Sequence, residues 1–156
     1  MIVLSLDIAT KTGVAIKYDT GEIKSMVWNL GRGKKRKGYS HIPMLRLWKR
    51  INRLSQTHQI SIVVFEDPFS QGAARWLMDS LQCCLMIWCE LAGVSWHRVA
   101  PTVWKKQLFA LGGMKKEEYH RRAKQLFPKI DLRTDDQAAA LLILTYAERV
   151  GWVKWN

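Results

Sequence analysis

The chain has 156 residues, 48% of them hydrophobic and 24% charged, which is enough length and apolar content for one domain, 1–156, with a real core. Its 25 Lys and Arg against 13 Asp and Glu leave a net charge of +12, which calls for a polyanionic partner: nucleic acid or an acidic membrane surface. No apolar run approaches the ~20 residues of a membrane span. The opening "MIVLSLDIA" carries Asp7 in its apolar run without a basic region before it, so it is read as no signal peptide.

"IVLSLDIAT" is short, apolar and β-branched, as a central strand is. "TGVAIKYD" and "GEIKSMVWNL" follow, with "DTG" between them as a hairpin signal, so three antiparallel strands open the chain. "GRGKKRKG" is a polar loop with five basic residues among eight. From Ser40 to about Thr57, Ile42, Leu45, Trp48, Ile51 and Leu54 recur at threes and predict an amphipathic helix. "ISIVVFED" has the continuous apolar character of a buried parallel strand closed by acids. A long helix from about Ser70 to Leu91 is stopped by Gly93, and "VSWHRVA" is a further strand. Pro101 starts a short helix, "GGMKKEEYHRRAKQLFP" reads as a loop, a basic helix and a proline stop, and Thr134 to about Val150 is the last helix. Strands first, then alternating helix and strand, imply a mixed α/β sheet covered by helices. Cys83, Cys84 and Cys89 cluster in one apolar helix without a histidine nearby, the pattern of reduced core thiols in a cytosolic protein rather than a zinc site.

The carboxylates carry the chemistry. Asp7 closes the first strand, Glu66 closes "ISIVVFE", and Asp135 and Asp136 begin the last helix. If the first and fourth strands are neighbours, Asp7 and Glu66 stand side by side and repel unless a cation or shared proton relieves them. Mg²⁺ suits such a site, since it takes a few carboxylates and completes its shell with water and substrate phosphate. Two such ions ~4 Å apart serve phosphodiester hydrolysis. The plainer alternatives are a turn-forming Asp7 and an N-cap at Asp135 or Asp136. Glu66 resists a plain reading, because an acid closing an apolar strand is costly unless paired.

Four blocks, "LSLDIATKTGVAI", "VVFEDPF", "VAPTVWKKQLFALGGMKKEE" and "TDDQAAALLILTYA", together resemble the RuvC Holliday-junction resolvases, especially the shorter phage-type members. They cover almost the whole chain, in the family's order. The resemblance implies a ribonuclease H-like mixed five-stranded sheet, three antiparallel strands and then parallel ones, flanked by helices. It places Asp7 and Glu66 as metal ligands with Asp136, beside Asp135, and implies Mg²⁺ (Mn²⁺ substituting), two ions to a site. The family's last helix carries a second carboxylate one turn after the first, and here that position is Ala139. The other register makes Asp136 the second acid and leaves Arg133 one turn earlier. The first overlays "AALLIL" on the family's apolar run and is preferred.

The resemblance further implies an endonuclease that resolves Holliday junctions or other branched DNA as a two-fold homodimer, with cleavage compromised at Ala139. The helix at 70–91 is its expected dimer surface, the host-cell cytoplasm its location if phage-encoded, and Phe69 an aromatic that wedges against bases; core filling is the alternative for Phe69. Lys34, Lys35, Arg36, Lys37, Lys105, Lys106, Lys115, Lys116 and Arg121 supply candidate phosphate contacts, with Lys106 and Lys116 expected beside the catalytic centre. Trp48, Trp76 and Trp88, on helices, are core or dimer positions. Two rival functions stay open: a catalytically silent junction-binding protein, and a ribonuclease H-like nuclease acting on flaps or RNA–DNA hybrids.

Overall fold

The structure is a computed structural model that describes residues 1–31, 34–35, 38–67, 73–110 and 116–153; for 34–35, 38–39, 73–74 and 116 it describes the backbone alone. Its centre is a five-stranded sheet built from β1 (Ile2–Asp7), β2 (Lys11–Tyr18), β3 (Ile23–Asn29), β6 (Ile60–Glu66) and β7 (Ser95–Val99). The spatial order is β3-β2-β1-β6-β7, antiparallel from β3 to β1 and parallel from β1 to β7. The expected loop "GRGKKRKG" contains a small hairpin of its own, β4 (Lys34–Lys35) paired with β5 (Gly38–Tyr39).

The helices are α1 (Ile42–Thr57), α2 (Ala73–Ala92), α3 (Pro101–Phe109), α4 (Lys116–Leu126) and α5 (Asp135–Arg149). Strand alternation sorts them onto two faces. Leu4, Leu6, Val63 and Phe65 join α1 and α2 in one core, through Leu47, Ile51, Leu81 and Leu85. Val3, Ile62 and Val64 join α5 in the other core, with Trp104 of α3 and Tyr119 and Ala123 of α4. From Ala138 to Leu144 every residue of α5 is buried, as an all-apolar helix segment must be. The Ser5 hydroxyl fixes the docking by donating to the Ala140 carbonyl at 2.8 Å, beneath the surface.

The alternation also aims the acids. Asp7 shares its parity with Val3, and Glu66 with Ile62 and Val64, so both carboxylates lie on the α5 side of the sheet. Leu6 pairs with Phe65 in parallel register, which leaves Asp7 and Glu66 next to each other on adjacent strands, about 4.8 Å apart in the sheet.

Gly93 ends α2 with φ +64 and donates to Glu90, while Val94 donates to Cys89, closing the helix as its glycine predicts. Cys89 is buried, but Cys83 faces outward, so the three thiols are not all core residues; none is in a disulfide. Among the described residues no helix is long and apolar enough to cross a membrane.

Candidate active site

Asp7 precedes a turn that the Thr12 hydroxyl locks, donating to the Ala9 carbonyl at 2.6 Å from a fully buried position. Gly13 follows, paired with Asp7 across the β1–β2 ladder. A methyl group at residue 13 would stand 1.8 Å from the carbonyl oxygen of Asp136. The start of α5 thus rests directly on the strand beside Asp7, an approach only glycine allows.

Asp135 and Asp136 do not cap this helix. Thr134 does: its backbone is extended and its hydroxyl accepts the Gln137 N–H at 3.2 Å, while the Gln137 amide oxygen accepts the Arg133 N–H at 3.0 Å. This pairing is close to a capping box and satisfies donors that an aspartate would otherwise be needed for. Both aspartates occupy the first turn, where the helix field favours negative charge. Asp135 turns to His120 of α4, whose Nδ1 lies 3.1 Å from its carboxylate.

Glu66 ends β6 half-buried, and its carboxyl is pushed above the ordinary glutamate value by that burial. Two groups oppose the shift: the indole of Trp104, which donates to Oε2 at 2.7 Å, and the ammonium of Lys105. The Gln82 amide, from α2, donates to the Glu66 carbonyl at 3.2 Å and fixes the strand end. Lys105 itself lies over the rings of Trp104 and Tyr119, at 5.1 and 5.2 Å.

Tyr119 reports on the whole group. Burial raises its phenol first, and the charges of Asp7, Asp135, Glu66 and Asp136 raise it further. One hydroxyl on α4 therefore sits within the field of all four acids singled out in the sequence. Their oxygens are the hard donors Mg²⁺ takes. Among the described residues no three Asp, Glu, His or Cys side chains form a closed ligand cluster. Asp7 and Glu66 end neighbouring strands, and Asp136 lies in the first turn of the helix that rests on Gly13.

Ala139, one turn beyond Asp136, is 4% exposed and packs in the α5-side core. The Lys105 ammonium acts on Glu66 through its charge, and Lys106 is exposed on the same helix. Arg121 is exposed and held by Glu118 through contacts of 2.7 and 2.8 Å. Phe69, Arg36, Lys37 and Lys115 lie outside the described residues, as do the side chains of Lys34, Lys35 and Lys116. Sequence reasoning missed Trp104, Tyr119, His120, Gln137 and the closeness of Gly13 to Asp136. The one available signal was "TDDQ", a threonine three residues before a glutamine, which marks a helix start capped by threonine.

No protein-family model and no curated relative matches the chain. Solved structures do. RuvC of Thermus thermophilus superposes with a TM-score of 0.71 at 19% identity, covering 97% of each chain. T. thermophilus RuvC in complex with Holliday junction substrate gives 0.71 at 17% identity, over 97% of this chain and 96% of that one. The fowlpox virus Holliday junction resolvase gives 0.58 at 15% identity, over 96% and 99%. In strand order and in extent, the chain has the ribonuclease H-like fold of RuvC.

Proposed function

We propose that this chain is a metal-dependent, structure-specific endonuclease of branched DNA, acting on four-way junctions, whose cleavage step is weakened by Ala139. The observation that supports the reading is that Asp7 and Glu66 end neighbouring strands while the start of α5, with Asp136, rests on Gly13, the strand partner of Asp7, in a fold shared with junction resolvases. The +12 charge supplies sequence-independent attraction to phosphates.

Asp7, Glu66 and Asp136 would hold Mg²⁺ or Mn²⁺, two ions to a site, with Asp135 as a further ligand or, through His120, a support. Bound there, the metal supplies Lewis acidity toward phosphoryl oxygen and a nucleophile from water, without a covalent intermediate. The protein's own part is positioning. Trp104 fixes which Glu66 oxygen faces the edge, and the Thr12-locked turn and Gly13 hold Asp7 against α5. Lys105 offsets part of the carboxylate charge that would repel an incoming phosphate. Lys116, at the start of α4, is proposed for the same task from the other side.

A symmetric junction needs two nicks, so the acting unit is proposed to be a two-fold homodimer. Helix α2 supports it: Trp76, Ile87 and Leu91 are 41%, 55% and 75% exposed, with exposed Cys83 between them at near-heptad spacing. The proposed location is the cytoplasm, where unpaired thiols such as Cys83 persist.

The test is binding and nicking of four-way junction, linear duplex, flap and RNA–DNA hybrid, each with Mg²⁺ and with Mn²⁺. Preferential junction binding with slow, metal-dependent nicking is expected. Equal affinity for duplex and junction at matched salt removes the structure-specific claim, and preferred cutting of flaps or hybrids assigns another substrate. Ala139 favours one second reading, a junction-binding protein that does not cut; metal-dependent nicking by the unaltered chain decides against it.

A further inference from the structure

The described residues carry a concentrated cationic surface on α1 beside the end of β3, two strands from the carboxylates. A cleft of about 430 Å³ is lined by Asn29, at the end of β3, and by Arg46, Lys49, Arg50 and Arg53 of α1. Their spacing of three, four and seven puts the four cations on one stripe of the helix. All four are exposed, and among the described residues none meets a carboxylate. The contrast with other arginines is sharp: Arg75, Arg98, Arg121, Arg122 and Arg133 each stand against an acid. Uncompensated like charges at neighbouring helical positions repel, so α1 carries a local cost that an external anion would relieve.

The surface is also built rather than incidental. Arg46 donates to the Leu30 carbonyl at 3.2 Å, while the Asn29 side chain accepts the Gly31 N–H at 3.0 Å. Gly31 has φ +82, and a methyl group on it would meet the Arg46 guanidinium at 2.2 Å. The Arg46 contact with the Leu30 carbonyl ties α1 to the end of β3.

Its placement identifies the ligand. Asn29 pairs with Lys11, and Asp7 with Gly13, so the cleft begins at the same end of the sheet as the carboxylates, two strands away. From there α1 runs toward the opposite end, where β6 begins. Asn52, one turn after Lys49, accepts the Trp88 indole N–H of α2 at 2.6 Å, so α2 packs beside the stripe while its four cations stay exposed. Arg46 to Arg53 spans about 10 Å of helix, a length over which duplex DNA carries about six phosphate charges.

We propose that Asn29, Arg46, Lys49, Arg50 and Arg53 form a second phosphate-binding site, which holds a duplex arm as it passes from the carboxylate edge around β3. The site rests on the nucleic-acid reading above but does not depend on cleavage. It is sequence-blind, and it acts on the part of the DNA farther from the branch point.

The experiment compares the full chain with the K49Q/R50Q/R53Q variant in salt titrations of binding to long-armed junctions, short-armed junctions and linear duplex. Arg46 is kept because it supports the β3 end. Expected for the variant is a loss of about tenfold or more on long-armed junctions, with the slope of log affinity against log salt reduced by about 2–3. Short-armed junctions should bind both proteins alike. R50K/R53K, which keeps the charge, should retain the slope, and K24Q, at the far end of β3, should change it little. An unchanged slope in the triple variant overturns the site, as does an equal loss on short arms. Equal wild-type affinity for junction and duplex would remove the junction reading alone, since the triple variant's slope on duplex still decides the α1 site.

Discussion

Gly13 lies directly beneath the carbonyl of Asp136, so close that no side chain fits between strand β2 and the start of α5. The contact holds one proposed metal ligand, Asp136, against the strand partner of another, Asp7. Gly13→Ala must push α5 away or distort β2. It is expected to destabilise by at least the ~1–3 kcal/mol typical of overpacking, a fall of about 2–4 °C in Tm per kcal/mol for a chain of this size. Thermal melts with and without Mg²⁺ check it: the variant should also lose the metal's stabilising effect. An unshifted melting curve would show that α5 does not rest on this glycine.

Glu66 gives a pH-dependent prediction. Burial holds its folded-state carboxyl above the ordinary value, with Trp104 and Lys105 opposing. A raised carboxyl favours folding fully only below its unfolded pKa, and that contribution is lost as pH rises through the folded value. At neutral pH the ionised Glu66 therefore weighs against the fold in metal-free buffer. Glu66→Gln should raise Tm at pH 7, and the difference should shrink toward pH 4. The same variant should gain little from added Mg²⁺, whereas the unaltered chain gains by mass action. A variant melting below the unaltered chain at pH 7 would mean that the ionised form is already well compensated.

How much of this was legible in the sequence depended on how local the signal was. Asp7 and Glu66 were readable because a strand's parity and its apolar run are local, and adjacency of two strands then fixes their ends together. The cap on α5 was readable in "TDDQ" but competes with two adjacent aspartates that are equally good caps. Trp104 meeting Glu66 joins positions 38 residues apart, and Asp135 meets His120 across the α4–α5 connection. Neither has a periodic trace, because a single side chain crossing from one short helix leaves no repeat. Lys105 and Lys106 are adjacent and chemically alike, so only the facing of α3 could separate them. The α1 stripe is present as Arg46, Lys49, Arg50 and Arg53, but the same spacing is that of the polar face of any amphipathic helix.

The α2 surface predicts the oligomeric state. Ile87 and Leu91 are exposed and lie away from both cores, so Ile87→Glu with Leu91→Glu should leave the fold intact. Introduced charges on a two-fold surface meet their own copies, and the like-charge contact opposes pairing. Sedimentation should show the unaltered chain as a dimer and the variant as a monomer. Junction affinity should fall with dimerisation, while Tm at low concentration changes by little. If both proteins sediment alike, α2 is not where two copies meet.

Position 139 supplies the last prediction. Ala139 lies one turn after Asp136 on the same side of α5, buried where the helix meets the sheet. A carboxylate there would add a second oxygen donor beside Asp136, between the helix and the ends of β1 and β6. Without metal it would also be a buried charge with no partner, so Ala139→Asp should cost stability, of the order of 1–3 kcal/mol or more. Added Mg²⁺ should recover that loss, giving the variant a larger metal-dependent rise in Tm than the unaltered chain shows. Binding should change little or weaken, since a negative charge is added near the phosphate. Cleavage should rise by orders of magnitude, because a positioned metal contributes several kcal/mol to the transition state and each ~1.4 kcal/mol is tenfold in rate. The two readouts separate the possible failures. A variant that gains metal-dependent stability but cuts no faster has the ligand without the chemistry, which favours the junction-binding reading. A folded variant with neither gain places the second carboxylate elsewhere, and the register that aligns Asp136 with the first acid would be wrong.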